Sequence, residues 1–107
     1  MNELKQLTKL VKAILEQDEQ ARNSDSYLYL RVIRHFAEKQ GTDIDNMPIP
    51  LFLLNMKELG YPPFESVRRT RQKVQANYPE LAGCRAVELA RAEAELQYRQ
   101  FARAAVE

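Results

Sequence analysis

Apolar residues recur along this chain at steps of three and four, with polar residues filling the positions between. From residue 3 to 21, Leu4, Leu7, Leu10, Val11, Ile14 and Leu15 fall on one side of a helix, and Lys5, Lys9, Lys12, Glu16 and Glu19 on the other. The spacing predicts a first amphipathic helix with Asn2 as N-cap and an i,i+4 pair between Lys12 and Glu16. Asn23-Ser24-Asp25-Ser26 is a break made of capping residues. A second helix is expected from about Asp25 to Gln40, burying Leu28, Val32, Ile33 and Phe36 and ending at Gly41. Tyr27-Leu28-Tyr29-Leu30 alternates as a short strand would, but the apolar positions continue at i+4 through Phe36, which favours the helix.

Residues 41–50 read as a polar, proline-bearing loop. Pro50 suits the first turn of a helix over 50–59 that offers Leu51, Leu54, Met56 and Leu59 to the core, and Gly60 suits its left-handed end. Pro63 opens a basic helix over 63–78 and Pro79 closes it. Residues 84–106, rich in Ala, Glu, Arg and Leu, form the longest candidate helix. Val87, Ala90, Ala94, Tyr98, Phe101 and Ala105 make one apolar stripe on it; Leu89 and Leu96 lie opposite, suited to a homodimer through this C-terminal helix. The sum is an all-α single domain, 1–107, of about five helices. Its centre is a helix-turn-helix-like pair (50–59, 63–78), followed by the long C-terminal helix.

The composition narrows the functional classes. A chain of 107 residues with 45% hydrophobic and 29% charged residues is ordinary for one soluble domain. The single cysteine, Cys84, and single histidine, His35, exclude an internal disulfide and argue against a zinc site. Cys84 has no His or Asn constellation around it in sequence, and His35 no paired acid. Asp43, Asp45 and Asn46 fall short of a calcium loop. No phosphate-binding glycine loop or hydrolase motif occurs, so no enzyme activity and no cofactor are expected. The N-terminus lacks the apolar core of a signal peptide, and the longest wholly apolar run, Leu51 to Leu54, is far short of the ~20 residues of a membrane span. A cytoplasmic protein without membrane contact is the expectation.

Charge is local rather than global. The net charge is +1, but residues 61–78 carry four Lys/Arg against one Glu. On a helical projection Phe64, Val67, Val74 and Tyr78 share one side, with Thr70 and Arg71 at its margins. Ser66, Arg69, Gln72 and Lys73 point away, and Arg68 and Gln75 flank the boundary. Arginine pairs with guanine and glutamine with adenine in the major groove, while lysine and flanking arginines bind phosphates. The nucleic-acid-binding candidates are therefore Arg69 and Lys73 first, Ser66 and Gln72 for reading sequence, and Arg68 and Arg71 for phosphate or for structure. The partner this implies is double-stranded DNA. Two features depart from the usual helix-turn-helix: Gly60-Tyr61-Pro62-Pro63 makes a long turn, and Met56 stands where close packing favours a small residue. The competing reading is a protein-binding module, in which Tyr27, Tyr29 and Tyr61 join the basic helix as a patch for an acidic partner. A contiguous exposed apolar surface would favour that reading; a continuous basic ridge would favour DNA.

Two stretches carry a family resemblance: Arg22-Asn23-Ser24-Asp25-Ser26-Tyr27-Leu28-Tyr29, and the run from Leu59 through Pro62-Pro63-Phe64-Glu65-Ser66-Val67-Arg68-Arg69-Thr70-Arg71-Gln72-Lys73-Val74-Gln75 to Pro79-Glu80-Leu81. Across roughly residues 20–82 the chain resembles small phage and prophage proteins, chiefly of Gram-positive bacteria. The resemblance implies a phage accessory role, with a helix-turn-helix-like fold compatible with it, and supplies no catalytic residue. Such accessory proteins include inhibitors of host defence, so a host protein joins DNA as an expected partner. The Asn23-Ser24-Asp25 element has two readings: a cap on the second helix, or a brace in which Asp25 pairs with Arg68 or Arg71.

Overall fold

The computed structural model describes the backbone of residues 2–106 and the side chains of residues 5–104, with no strand among them. The side chains of Asn2, Leu4 and Ala105, expected as a cap and as stripe positions, lie outside the described residues. Helix α1 (Asn2–Gln17) buries Leu7, Val11, Ile14 and Leu15, and Lys12 stands 3.9 Å from Glu16.

The first helix does not run on to residue 21. Asp18 adopts extended backbone (φ −139°) and its carboxylate accepts the Gln20 N–H at 3.0 Å, which starts a new helix, α2 (Glu19–Asn23). The same carboxylate accepts the Tyr27 hydroxyl at 2.6 Å and an Arg31 N–H at 3.1 Å. Arg22 donates from Nε to the Leu15 carbonyl at 2.7 Å, satisfying an acceptor left free at the end of α1. The break turns Ala21 into the core, where it is fully buried.

Helix α3 (Asp25–Gln40) begins under Ser24, whose Oγ accepts the Tyr27 N–H at 3.2 Å. It buries Leu28, Val32, Ile33 and Ala37, so the 27–30 alternation belongs to a helix. At its end Gly41 takes φ +70°, and Thr42 N–H reaches back to the Ala37 carbonyl at 2.9 Å.

A single 3-10 turn (Ile44–Asn46) leads to α4 (Ile49–Asn55), with Pro48 as N-cap and Pro50 in the first turn. This helix ends four residues before the expected Leu59; an irregular stretch follows and closes at Gly60, φ +79°. Leu51 and Leu54 are exposed rather than buried, a departure from the sequence reading. Met56 and Leu59 do reach the core as expected: with Phe52 they are partly buried and pack against Ile33, Ala37 and Tyr61 in a second, smaller core. Phe52 stacks on Tyr61 with ring centroids 5.6 Å apart.

Helix α5 (Phe64–Asn77) starts at Pro63 and lies against α1 and α3, putting Val67, Thr70 and Val74 into the main core. Residues 56–63 separate it from α4, where a helix-turn-helix uses a turn of only three or four residues. With α4 turned towards α3 through Phe52, the two helices expected as a helix-turn-helix-like pair are present but not joined by that tight turn. After a 3-10 turn (Pro79–Leu81), α6 (Arg85–Val106) completes the chain. No helix among the described residues is long and apolar enough to cross a membrane.

Candidate functional site

The basic helix is held at both ends of its inner face. At its start, the Tyr29 hydroxyl donates to the Pro62 carbonyl at 2.9 Å and its ring meets Phe64 edge-on at 5.3 Å. Burial pushes the Tyr29 phenol above its usual value. Near the middle, Arg71 forks onto Asp25, with Nε–Oδ1 at 2.8 Å and Nη2–Oδ2 at 3.1 Å, and its Nη1 donates to Gln75 at 3.2 Å. Gln75 in turn donates to the Leu81 carbonyl at 3.0 Å. Only 5% of Arg71 is open to solvent. Of its two sequence roles, phosphate or structure, Arg71 occupies the structural one: a buried guanidinium that spends three of its five N–H donors on Asp25 and Gln75 is not placed to reach a backbone phosphate.

Asn23, Ser24 and Asp25 do three different jobs. Asn23 Oδ1 accepts the Cys84 N–H at 2.7 Å and so ties down the approach to α6. Ser24 caps α3. Asp25 braces Arg71 and also stands 3.6 Å from Arg91 of α6. Both readings of this element therefore describe it, the cap through Ser24 and the brace through Asp25. Gly83 is required by the close approach here: a Cβ would sit 2.8 Å from the Arg22 carbonyl and 2.9 Å from Glu88 Oε1. Glu88 accepts the Gly83 N–H at 3.0 Å and Arg91 at 2.9 Å.

The outward positions of α5 are less free than their sequence suggests. Glu65, one turn upstream, takes a two-pronged contact from Arg68 and a bond from Arg69 Nε at 3.2 Å. The Arg68 guanidinium first, then Arg69, holds the Glu65 carboxyl below the usual carboxylate range, and Glu65 raises Arg68 in return. Ser66 is half-buried, with its carbonyl accepting the Thr70 hydroxyl at 2.7 Å. Gln72 and Lys73 are exposed.

Beside this face stands α6. A cleft of about 1020 Å³ separates the two helices, with Arg68, Arg69 and Gln72 on the α5 wall and Glu95, Tyr98 and Arg99 on the α6 wall. The B-DNA major groove is about 12 Å wide, the girth of one helix with its side chains. A helix that must enter it cannot carry a second helix against its reading face. Lys73 stands outside the cleft. Of the six sequence-predicted residues, the structure thus gathers Arg68, Arg69, Arg71 and Gln72 along one cleft, buries Arg71 against Asp25, and leaves Ser66 and Lys73 outside it.

Besides Tyr98 and Phe101 of α6, exposed apolar surface gathers on α4. Ile49 is 72%, Leu53 59% and Leu54 80% open to solvent, all on α4. Next to them a groove of about 300 Å³ runs between α3 and α4, lined by Tyr29, Leu30, Ile33, Ile44, Met47 and Phe52. The run from Met47 to Met56 contains no charged residue. Sequence reasoning assigned Leu54, with Leu51, to the core because helical spacing alone cannot say which of two apolar faces is covered. Comparison with protein-family models, curated proteins and solved structures gives no match.

Proposed function

We propose that this chain is a protein-interaction module whose docking face is α4 together with the α3–α4 groove. The observation that carries the reading is the uncharged run Met47–Met56, with Ile49, Leu51, Leu53 and Leu54 exposed, beside an open apolar groove. Monomeric soluble proteins rarely leave such a surface contiguous. Covering Ile49, Leu53 and Leu54 would contribute about 1.5–3 kcal/mol for each side chain fully removed from water. The flanking charges are Asp43, Asp45 and Glu58 against Lys57, with Asp45 paired to Arg34 at 3.0 Å; Asp43 and Glu58 leave a slightly acidic border, so the matching partner presents apolar anchors with a weakly basic rim. An amphipathic helix laid into a groove is the recognition mode that fits. The resemblance to phage and prophage proteins supplies a setting, an accessory protein that occupies a host protein.

A second reading, binding of double-stranded DNA, is favoured by one observation: Gln72 and Lys73 project from α5 into solvent, next to an Arg69 whose only clamp is an exposed Glu65. One experiment separates the two. A random-peptide display library is selected against the wild type, Leu53→Glu/Leu54→Glu and Arg69→Glu/Lys73→Glu, with duplex-DNA anisotropy measured alongside. The protein reading expects enrichment of apolar, basic-flanked peptides that the α4 variant loses and the α5 variant keeps. Salt-sensitive duplex binding lost only in the α5 variant, without peptide enrichment, would replace it with the DNA reading.

A further inference from the structure

Helix α6 is fastened at one end. Its first turns are tied through Cys84 N–H to Asn23, Gly83 N–H to Glu88, and Arg91 to Glu88 and Asp25. From Ala92 to Ala104 every side chain is exposed, including Tyr98 at 73% and Phe101 at 74%. Of the apolar stripe Val87–Ala90–Ala94–Tyr98–Phe101, Val87 is half-buried and the other four are exposed. Glu88, Arg91, Glu95 and Arg99 line the cleft towards α5 together with Ala94 and Tyr98, so the stripe borders open space rather than a packed surface. An isolated helical segment of this length is marginal in water, and two exposed aromatic rings on it add to the cost.

The geometry points to a second copy of this chain as the occupant of that stripe, paired antiparallel about Ala94. The stripe positions fall symmetrically on either side of Ala94, four and then seven residues away in each direction. Their sizes are not symmetric: Val87 and Ala90 are small, Tyr98 and Phe101 large. An antiparallel pair therefore sets each Tyr98 over the other copy's Ala90 and each Phe101 over its Val87, twice, with alanine facing alanine at the two-fold axis. This is the self-complementarity that a closed two-fold interface demands. A parallel pair sets ring on ring at one end and alanine on alanine at the other, and crowds both bodies together at the first turns. The antiparallel pair places the bodies at opposite ends and opposes the two helix dipoles.

Four aromatic rings, at about 150 Å² each, and a similar area of facing Ala and Val surface bring the buried total to roughly 1,200 Å². That is the lower edge of stable interfaces, so the dimer is reversible and concentration-dependent. Leu89 and Leu96, the residues first expected to make a homodimer, lie on another side of α6 and take no part. The pairing is independent of the α4 docking face, but a dimer would present two such faces at once and gain avidity for a repeated partner.

Sedimentation equilibrium across a range of micromolar concentrations tests the pairing. The wild type should pass from monomer to dimer, and Ala94→Glu should weaken this by about tenfold or more, because it sets two carboxylates together at the axis. Leu96→Gln should leave it unchanged. Register is read by mixing Ala90→Cys and Tyr98→Cys chains in a Cys84→Ser background under mild oxidation. The mixed 90–98 disulfide should dominate over 90–90 and 98–98. A wild type that stays monomeric throughout, a dimer lost in Leu96→Gln but not in Ala94→Glu, or a predominance of like-with-like disulfides would each overturn the proposal.

Discussion

Replacing Asp25 with alanine should destabilise the fold more than any other single surface-proximal change. The carboxylate holds both arms of the Arg71 guanidinium, and Arg71 is 5% exposed, with Gln75 as its other side-chain acceptor. Removing one partner of a buried ion pair leaves an uncompensated charge, which costs about 3–5 kcal/mol in fully buried cases. Asp25 keeps 23% of its side chain in contact with water, so the cost here belongs at the lower end, about 3 kcal/mol. A domain of this size has a total stability of roughly 5–15 kcal/mol. The loss should therefore be visible as a fall in Tm of about 10–20 °C, and as a lower urea midpoint at unchanged m-value in far-UV circular dichroism. The decisive arm is the double variant Asp25→Ala/Arg71→Met. Taking out both charges removes the orphan as well as the pair, so it should recover most of the loss. A single variant within about 1 kcal/mol of wild type would refute the reasoning, as would a double variant whose loss equals the sum of the two singles.

Two further outcomes are expected. The Tyr61 hydroxyl is buried and has no hydrogen-bond partner among the described residues; Tyr61→Phe should therefore leave stability unchanged or raise it by about 1 kcal/mol, measured by urea unfolding. The Tyr27 hydroxyl first, with the Gln20 N–H and Arg31, holds the Asp18 carboxyl below its usual value. Its contribution is present above the unfolded carboxylate pKa and is lost as pH falls through the lower folded value, so Asp18→Asn should flatten the acid limb of a stability–pH profile.

The legible part of this fold was the part that local chemistry decides. Gly41 ends α3 and Gly60 closes the turn-rich stretch after α4, each in a left-handed backbone, and Pro63 and Pro79 bracket α5 because proline can start but not continue a helix. What escaped was decided by residues far apart in the chain. Asp18 is a capping residue type, but the sequence around it does not separate a cap from a position inside a helix; Tyr27 and Arg31 reaching back to Asp18 hold the break. Leu51 and Leu54 had helical spacing as good as that of Phe52, yet it is Phe52 that stacks on Tyr61 beside Met56 and Leu59. Arg71 sat at a helix boundary where phosphate and carboxylate were equal candidates. The choice went to Asp25, 46 residues away.

That separation also sets the order in which the molecule can fold. Helix α1 leaves the ribosome first, yet the α5 surface it packs on lies beyond α4 in the chain. The Asp25–Arg71 clasp closes a loop of 46 residues, an entropic cost of about 3 kcal/mol that must be met before the pair returns anything. The nascent α1, α2 and α3 can pack on one another, but the parts of α1 and α3 that meet α5 stay uncovered until residues 64–77 have been synthesised. Completion of the core is therefore late, and folding should be slower than in a bundle of successive neighbouring helices.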